Sequence, residues 1–589
     1  MNDRMNEVTV FSPFGGQLIL EEVLGSNNEF KIPENSITTQ KGSDRSMFSY
    51  VPLSGCYDAK QEQVLMVLRD ETDGVSAEKL MKDLKLDELA EEKHLILLFP
   101  NPTDQGWNYH GDALREDDLS FLVRCFAALP KSKGKASGFN GMIFYIATSN
   151  SSSALLSLLS EKQPVDCSAM MLGAYPKDYH ITQGGLRQSV NAWVYEENKE
   201  LQEYLIEVNH IGSKSVSDGL NKYVSKLNEN NMHFVSNNGL SADEIKNAWE
   251  LLFSETRRWR NDTYGTYQKR TNFTEWGFVG HVNDDSLTVN NDFKHTWYEY
   301  VPEQLRGTNE KVPLVFYFHG GACVPLYGAE QSDWHEIAKK ENFIVVYPKA
   351  SVGKMWNAFD DQNQPSDFAF VLALIEHMKM VHPIDESRIY LSGFSMGSMM
   401  SNAMACAYPH IFAATAPLNA QHLGYLSNRA KLMSSPALGN KPTDDQMNEI
   451  SHTKILADEA KKRMDYRMPV FQCSGLLDDL FNTWPIDKEE NLWIPTFNYW
   501  KEYNHIPVTK FEYNSKYETG LYSDETRYVC VDERFIHHTW YTSDTHLPLY
   551  QFLVAKRMPH AVDLREIRLA WQFLKHYSRN SNGTLEYKE

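Results

Sequence analysis

Short apolar runs alternate along this chain with longer amphipathic stretches. In the second half, mainly apolar runs that are short enough for buried strands include Val312–Phe318, Ile389–Leu391, Pro469–Gly475 and Leu549–Ala555. By contrast, the segment from Asp563 to Tyr577 carries Ile567, Ala570, Trp571 and Leu574 at helical spacing, which predicts an amphipathic helix. This alternation is typical of an α/β fold, in which a mainly parallel sheet is flanked by helices.

The first half of the chain repeats this pattern in the same order. The paired segments are Phe48–Pro52 with Tyr298–Pro302, Gln63–Leu68 with Pro313–Phe318, His94–Pro100 with Phe343–Pro348, Trp107-Asn108 with Trp356-Asn357, Met142–Ser149 with Arg388–Ser395, and Glu244–Trp249 with Glu566–Trp571. Matches that keep their order indicate an internal repeat. We therefore predict tandem α/β domains, 1–265 and 266–589, joined at the polar stretch Arg257–Gly265.

Length and charge limit the kinds of protein that this can be. A chain of 589 residues is too long for one ordinary core, and a formal charge of −20 argues against nucleic acid or an anionic membrane as a partner. No apolar run reaches membrane-spanning length, and the start Met1–Glu7 lacks the apolar segment of a signal peptide. The seven cysteines stand singly, which favours reduced thiols and a cytoplasmic location. The sequence leaves open whether the chain forms a homo-oligomer.

The stretch Gly393-Phe-Ser-Met-Gly397 lies where a predicted strand passes into a predicted helix. Strand, tight turn and helix are the setting of a nucleophile elbow, in which a strained serine stands above the edge of the sheet. Gly393 and Gly397 are the small neighbours that such a turn needs, so Ser395 is the candidate nucleophile. An ordinary strand-to-helix turn is the alternative interpretation.

His319-Gly320-Gly321 directly follows the apolar run that begins at Val312. Acyl transfer requires two backbone N–H groups directed at the developing oxyanion. One belongs to the residue after the nucleophile, here Met396, and the other to the loop after an earlier strand. We assign the second N–H to Gly321, with Ala322 as the alternative.

Two further side chains complete a candidate triad. Asp478 follows the run that ends at Gly475, and His560 lies in the loop between the last predicted strand and the last predicted helix. Asp478 is the acid predicted to orient the histidine, with Asp479 as the alternative. The chain order Ser395, Asp478, His560 is that of α/β-hydrolases and differs from that of other serine hydrolase classes.

Residues from about 290 to 580 resemble the polyhydroxybutyrate depolymerase-like esterases, a group that includes feruloyl and acetyl xylan esterases. The matching segments are His319-Gly320, Val345–Pro348, Met355–Asn357, Gly393–Gly397, Tyr408-Pro409, Phe412–Ala414 and Pro559–Ala561. This chain has Gly321 where the family often has cysteine, and Pro559 where it usually has glycine. The resemblance implies an α/β-hydrolase fold and the hydrolysis of carboxylic esters.

Several segments are candidates for the pocket. His319, Trp356 and Trp484 are predicted to lie near the substrate, and the polar residues 421–467 are typical of a lid or rim. The aromatic residues from Phe481 to Trp500 either stack on substrate or pack a helix. We predict no metal, because the spacing of His537, His538 and His546 in a polar loop fits no standard site. We see no phosphate-binding glycine loop and predict no cofactor.

The first copy has lost the corresponding chemistry. Arg69-Asp-Glu71 replaces the His-Gly-Gly loop, Ser149 lacks flanking glycines, and Asn238 aligns with His560. We predict an inactive domain with a structural or dimerising role, and a role in capping the active site or binding substrate is the alternative. The second domain is predicted to be a serine carboxylic ester hydrolase that acts on small-molecule or oligomeric soluble esters, such as acylated oligosaccharides or hydroxyalkanoate oligomers. A non-catalytic scaffold built from two hydrolase-like domains is the rival interpretation.

Overall fold

The computed structural model describes residues 8–588 except 12–15, 26–28, 33–35, 40–41, 53–61, 71–73, 134–137, 182–184, 288, 291–292, 359–362, 421–463, 479–483, 490 and 492. The chain divides into two compact units, residues 1–270 and 271–589. In the described residues, no helix is both long and apolar enough to cross a membrane.

The first unit contains fifteen described strands and six described α-helices. The strands are Val8–Phe11 (β1), Gln17–Val23 (β2), Glu29–Ile32 (β3), Ser36–Thr39 (β4), Arg45–Val51 (β5), Glu62–Leu68 (β6), Leu95–Pro100 (β7), Gly138–Ala147 (β8), Ala169–Leu172 (β9), Ala192–Val194 (β10), Ile211–Ser217 (β11), Leu220–Ser225 (β12), Met232–Val235 (β13), Thr256–Trp259 (β14) and Thr266–Lys269 (β15). The helices are Gly74–Asp83 (α1), Leu86–Lys93 (α2), Asp118–Lys133 (α3), Asn150–Lys162 (α4), Lys199–Val208 (α5) and Ala242–Ala248 (α6).

The second unit contains twelve described strands and seven described α-helices. The strands are Val279–Asp284 (β16), His295–Tyr300 (β17), Val312–Phe318 (β18), Ile344–Pro348 (β19), Ile384–Phe394 (β20), Ala414–Leu418 (β21), Val470–Gly475 (β22), Glu525–Val529 (β23), Phe535–Trp540 (β24), Tyr550–Ala555 (β25), Tyr577–Arg579 (β26) and Leu585–Tyr587 (β27). The helices are Phe273–Trp276 (α7), Pro325–Ser332 (α8), Trp334–Glu341 (α9), Asp367–Val381 (α10), Met396–Ala407 (α11), Ile494–Tyr503 (α12) and Leu564–Leu574 (α13).

The main sheets of the two units run through their strands in the same order. The first sheet is β1-β2-β5-β7-β6-β8-β9-β10-β13-β12-β11, and the second is β16-β17-β19-β18-β20-β21-β22-β25-β24-β23. The parallel strands are β7-β6-β8-β9-β10-β13 in the first sheet and β19-β18-β20-β21-β22-β25 in the second. The strands at the two ends of each sheet pair with them in the antiparallel direction. Apart from the additional strand β1, the topologies agree strand for strand. The predicted α/β fold class, with tandem domains built on mainly parallel sheets flanked by helices, is confirmed.

The central strands are apolar because helices cover both faces of the sheet. All seven residues of β18 are buried. Leu314, Phe316 and Phe318 belong to one core cluster, whereas Val315 and Tyr317 belong to another. Successive side chains of a strand point to opposite faces, so one continuous apolar run supplies both cores.

The polar stretch Arg257–Gly265, which was predicted to join the two domains, lies within the first unit as part of a hairpin. Strands β14 and β15 pair as an antiparallel hairpin, and residue 265 lies in the turn between them. Arg257 and Arg258 are buried, and Arg258 donates hydrogen bonds to the carbonyl of Ser189 at 3.1 Å and to the hydroxyl of Tyr267 at 3.0 Å. These arginines pack within the first unit because their guanidinium groups find acceptors there.

Candidate active site

Ser395 occupies a strained turn between β20 and α11. Its backbone angles are φ 54° and ψ −115°, a region that residues other than glycine rarely adopt. Such strain costs about 1–3 kcal/mol and persists only where the surrounding structure fixes it. Here the N–H of Ser395 donates to the carbonyl of Leu418 at 2.9 Å, which ties the turn to the end of β21.

The two glycines of the elbow have no room for a side chain. A Cβ on Gly393 would lie 2.4 Å from the carbonyl oxygen of Gly397, and a Cβ on Gly397 would lie 2.0 Å from that of Phe318. These neighbours are backbone atoms and cannot rotate away. The turn can therefore close against the end of β18 only if both positions are glycine.

Ser395, His560 and Asp478 form one chain of hydrogen bonds. Nε2 of His560 lies 2.8 Å from Oγ of Ser395, and Nδ1 lies 2.7 Å from Oδ2 of Asp478. One neutral tautomer satisfies both contacts: Nδ1–H donates to the carboxylate, and Nε2 accepts from the hydroxyl. Asp478 is buried, whereas Ser395 and His560 are partly exposed. The carboxylate is thus shielded from water, while the hydroxyl remains accessible.

These three side chains follow three different parallel strands. Ser395 follows β20, Asp478 follows β22, and His560 follows β25. Since the carboxyl ends of parallel strands meet at one edge of a sheet, residues far apart in the chain converge there. Asp479, the alternative acid, lies outside the described residues.

The loop after β18 lies beside the first turn of α11. A Cβ on Gly321 would lie 3.5 Å from Sδ of Met396, so these two residues are neighbours. Met396 is the first residue of α11, and N–H groups in the first turn of a helix have no partner within it. Ala322, the alternative to Gly321, donates its N–H to the carbonyl of Lys354 at 3.0 Å. Its N–H is therefore engaged elsewhere.

His319 and Trp356, which were predicted to lie near the substrate, are both buried beneath this loop. His319 is fully buried; Nε2 accepts from the N–H of Ala350 at 3.1 Å, and Nδ1 donates to the carbonyl of Gly320 at 2.8 Å. Trp356 is 2% exposed, and its Nε1–H donates to the carbonyl of His319 at 2.7 Å. Burial lowers the pKa of His319 to about 4, so the ring is neutral. Both side chains support the backbone of the loop.

Trp484, a predicted pocket aromatic, is partly exposed. Its Nε1–H donates to Oγ of Ser474 at 3.2 Å, near the end of β22. Trp493, Phe497 and Trp500 are buried in the core, in agreement with the helix-packing interpretation of this segment. Phe481 and residues 421–463 of the predicted rim lie outside the described residues.

His537 and His538 belong to a buried strand, not to the polar loop that their neighbours suggested. Both lie in β24. Nε2 of His537 is hydrogen-bonded to Oε1 of Gln551 at 2.9 Å, and Nε2 of His538 is hydrogen-bonded to Oγ1 of Thr519 at 2.9 Å. Within the described part of the chain, no group of three or more His, Cys, Asp or Glu side chains could hold a metal ion.

Asn419 is a residue of this site that the sequence did not reveal. It follows β21 with φ 55° and is fully buried. Its Nδ2–H donates to the carbonyl of Ala561 at 2.7 Å, and its Oδ1 accepts from the N–H of Gly475 at 2.7 Å. One amide thus connects the turn before Asp478 to the loop of His560. Asparagine tolerates a positive φ, but nothing in its local sequence distinguishes it from a turn residue.

The corresponding edge of the first unit has a different geometry. Ser149 follows β8 in an extended conformation, with φ −150° and ψ 169°, and its side chain accepts from the N–H of Ser152 as the cap of α4. Its Oγ also donates to Asp70 at 2.7 Å. Asn238 directs its Nδ2–H to Glu244 at 3.1 Å. Ser149 is therefore an ordinary, unstrained helix cap.

The family model Esterase PHB depolymerase matches residues 298–432, which include the His-Gly-Gly loop and the Ser395 elbow but neither Asp478 nor His560. Poly(3-hydroxyalkanoate) depolymerase C of Paucimonas lemoignei is 33% identical over 129 residues, 20% of this chain and 30% of that protein. Feruloyl esterase B of Talaromyces funiculosus is 31% identical over 143 residues, 22% of this chain and 38% of that protein. The chain thus spans less than half the length of either relative.

Among solved structures, the acetyl xylan esterase from Aspergillus awamori is similar with a TM-score of 0.34 and 16% identity, over 51% of this chain and 99% of that one. The sequence match at residues 298–432 covers strands β18 to β21, the His-Gly-Gly loop and the Ser395 elbow. Through this segment, the chain is similar to the polyhydroxybutyrate depolymerase-like esterases.

Proposed function

We propose that the second unit is a serine carboxylic ester hydrolase. The observation that carries this proposal is the hydrogen-bond chain from Ser395 through His560 to Asp478, with Ser395 held in a strained elbow. A serine hydroxyl is a weak nucleophile until an adjacent base accepts its proton, and the base must in turn be oriented. The arrangement of these three side chains meets both requirements.

The proposed reaction proceeds through an acyl-enzyme. Oγ of Ser395 attacks the ester carbonyl while Nε2 of His560 takes its proton, and the buried Asp478 stabilises the resulting imidazolium. His560 then protonates the departing alcohol. Water attacks the acyl-enzyme with His560 again as the base, and the acid is released from Ser395.

The N–H groups of Gly321 and Met396 are proposed to stabilise the tetrahedral oxyanion. Gly321 lies next to Met396, whose N–H is in the first turn of α11, and the competing N–H of Ala322 is bonded to Lys354. Loss of one such donor costs about 100- to 1,000-fold in kcat in other hydrolases. The buried contacts of His319 and Trp356 hold this loop in place.

Soluble carboxylic esters, such as acylated oligosaccharides or hydroxyalkanoate oligomers, are the substrates that we propose. The two relatives are named for a poly(3-hydroxyalkanoate) and for a feruloyl ester, which supports the ester class but leaves the acyl group open. Comparison of kcat/KM for acetylated, feruloylated and hydroxybutyrylated esters identifies the acyl preference. Preference for an amide or a long-chain triglyceride would refute this assignment.

The first unit is proposed to be a decayed, inactive copy. Ser149 is an unstrained helix cap hydrogen-bonded to Asp70, and Asn238, which cannot act as a general base, takes the place of His560. The equivalent serines make a matched pair of variants, Ser395→Ala and Ser149→Ala.

Hydrolysis of p-nitrophenyl acetate and butyrate by these variants tests the proposal. Ser395→Ala is expected to lower kcat/KM by at least about 10⁴-fold, because loss of a triad nucleophile leaves only the oxyanion donors and binding. Ser149→Ala is expected to keep the wild-type rate. Equal rates for Ser395→Ala and wild type, or no hydrolysis by wild type across a panel of short esters, would refute the proposal.

A further inference from the structure

A cavity of about 550 Å³ lies between α12, β24 and the segment 508–522 of the second unit. Its apolar wall is formed by Ile494, Phe497, Phe511, Leu521 and Trp540. The rings of Phe497 and Trp540 lie 5.7 Å apart between centroids and form a continuous aromatic surface. A volume of this size accommodates a small organic molecule.

Lys501 is one of two lysines that line this cavity, and its amine lies against the apolar wall. Nζ of Lys501 lies 4.6 Å from the centroid of the Trp540 ring, a cation–π contact. Among the residues that the structure describes, no carboxylate or carbonyl accepts a hydrogen bond from this amine. Burial lowers the pKa of Lys501 to about 8, and the charge of Asp524 opposes that shift. The ammonium is therefore partly desolvated, and it donates no hydrogen bond to a carboxylate among the described residues.

The other charged groups around the cavity differ from Lys501 in exposure. Glu489, Lys510 and Glu512 also line it, but all three are exposed, so water screens their charges. His538, whose pKa burial lowers to about 3, is neutral beside Lys501. Lys501 is thus the charge that an entering ligand meets at the apolar wall.

The cavity is remote from Ser395. Trp540 pairs with Tyr550 at the start of β25, whereas Ala555, at the end of β25, pairs with Gly475 at the edge that carries Asp478. The five residue steps between the two ends of β25 correspond to about 17 Å along the strand. A ligand in the cavity therefore does not occupy the ester site.

We propose that this cavity binds a small arylcarboxylate, whose carboxylate pairs with Lys501 and whose ring packs on Phe497 and Trp540. The carboxylate supplies a hydrogen-bond acceptor for the ammonium, and charge-assisted hydrogen bonds are the strong ones in a partly desolvated site. The ring buries apolar surface against the two aromatic side chains. The proposal is independent of ester hydrolysis.

Binding of benzoate to the full chain at pH 7, followed by calorimetry and by saturation-transfer NMR, tests the proposal. Benzyl alcohol is the uncharged probe of the same shape. Lys501→Met removes the charge and keeps the apolar stem, Lys501→Arg keeps the charge, and Lys510→Met is the control at an exposed position. Thermal melting of each variant reports whether it folds.

We expect saturable benzoate binding to wild type, to Lys501→Arg and to Lys510→Met. Lys501→Met should bind benzoate at least about tenfold more weakly, because the free energy of a hydrogen bond to a charged group corresponds to at least that change in affinity. Benzyl alcohol should bind wild type more weakly than benzoate, with no change in Lys501→Met. Absence of saturable benzoate binding to wild type, equal benzoate affinity for Lys501→Met, or equal affinity of wild type for both probes overturns the proposal.

Discussion

Gly397 is the position in the elbow where a single methyl group has the largest predicted effect. Its Cβ would lie 2.0 Å from the carbonyl oxygen of Phe318, 2.5 Å from the carbonyl carbon and 2.7 Å from the oxygen of His319. Ordinary nonbonded contacts lie near 3.5–4.0 Å, so the overlap exceeds about 1 Å. It is relieved only if α11 moves away from the end of β18, because every one of these atoms belongs to the backbone.

Gly397→Ala should lower both the stability of the second unit and its rate of ester hydrolysis. Overpacking costs about 1–3 kcal/mol, which corresponds to roughly 2–12 °C in Tm for a domain of this size. A displacement of about 1 Å between Ser395 and the His319–Gly321 loop costs about 100-fold in rate. We therefore expect a lower Tm together with a kcat/KM on p-nitrophenyl acetate reduced by about two orders of magnitude.

Gly321→Ala is the matched control for stability. Its Cβ would meet Sδ of Met355 at 3.4 Å and Sδ of Met396 at 3.5 Å, ordinary contacts with side chains that can move. Its Tm is expected to stay close to that of wild type. If Gly397→Ala instead keeps both the wild-type Tm and the wild-type kcat/KM, the elbow does not have the close packing described here.

Three further predictions concern charged and titrating groups. Asp478→Asn should lower kcat by up to about 10⁴-fold without changing Tm, because the amide cannot stabilise an imidazolium. The control variant Asp532→Asn, at an exposed position, should have no effect on kcat or Tm. Full activity of Asp478→Asn would remove Asp478 from the mechanism. Burial raises the pKa of Glu566 well above 4.5, and its carboxylate oxygens have no hydrogen-bond partner among the described residues, so stability should fall as pH rises above 4.5. Glu566→Gln should therefore raise Tm at pH 7 but not at pH 4. An equal change in Tm at the two pH values would contradict the claim that the ionised Glu566 carboxylate destabilises the fold. His319 has its pKa lowered from 6.5 to about 4, so its contribution to stability is present above pH 6.5 and is lost as pH falls towards 4. The urea concentration at the midpoint of unfolding should fall as the pH is lowered from 6.5 to 4, and it should fall less in His319→Gln. The same dependence of the midpoint on pH in both proteins would show that His319 does not contribute to it.

The sequence predicted most where the constraint is local. Gly393, Ser395 and Gly397 lie within five residues, and the tight turn demands that composition whatever the rest of the fold. The buried strands were equally visible, because helices on both faces of a parallel sheet require apolar runs such as β18. Asp478 and His560 were selected by their positions after later strands, since the carboxyl ends of parallel strands converge.

The sequence predicted least where a residue acts through partners distant in the chain. Asn419 connects Gly475 and Ala561, and no local pattern records that pairing. His537 and His538 looked like loop residues because their polarity concealed a strand whose hydrogen-bond partners, Gln551 and Thr519, come from other segments. His319 was predicted to lie near the substrate, and no local pattern records that its ring is buried.

Reaction of the full chain with a fluorophosphonate, followed by peptide mass spectrometry, tests the central claim most directly. Such a reagent phosphonylates a serine whose hydroxyl is activated by an adjacent base. We expect one adduct per chain, on Ser395, none on Ser149, and loss of the adduct in His560→Ala. Absence of any adduct on the folded wild-type protein, or an adduct on Ser149 in place of Ser395, would contradict the central claim.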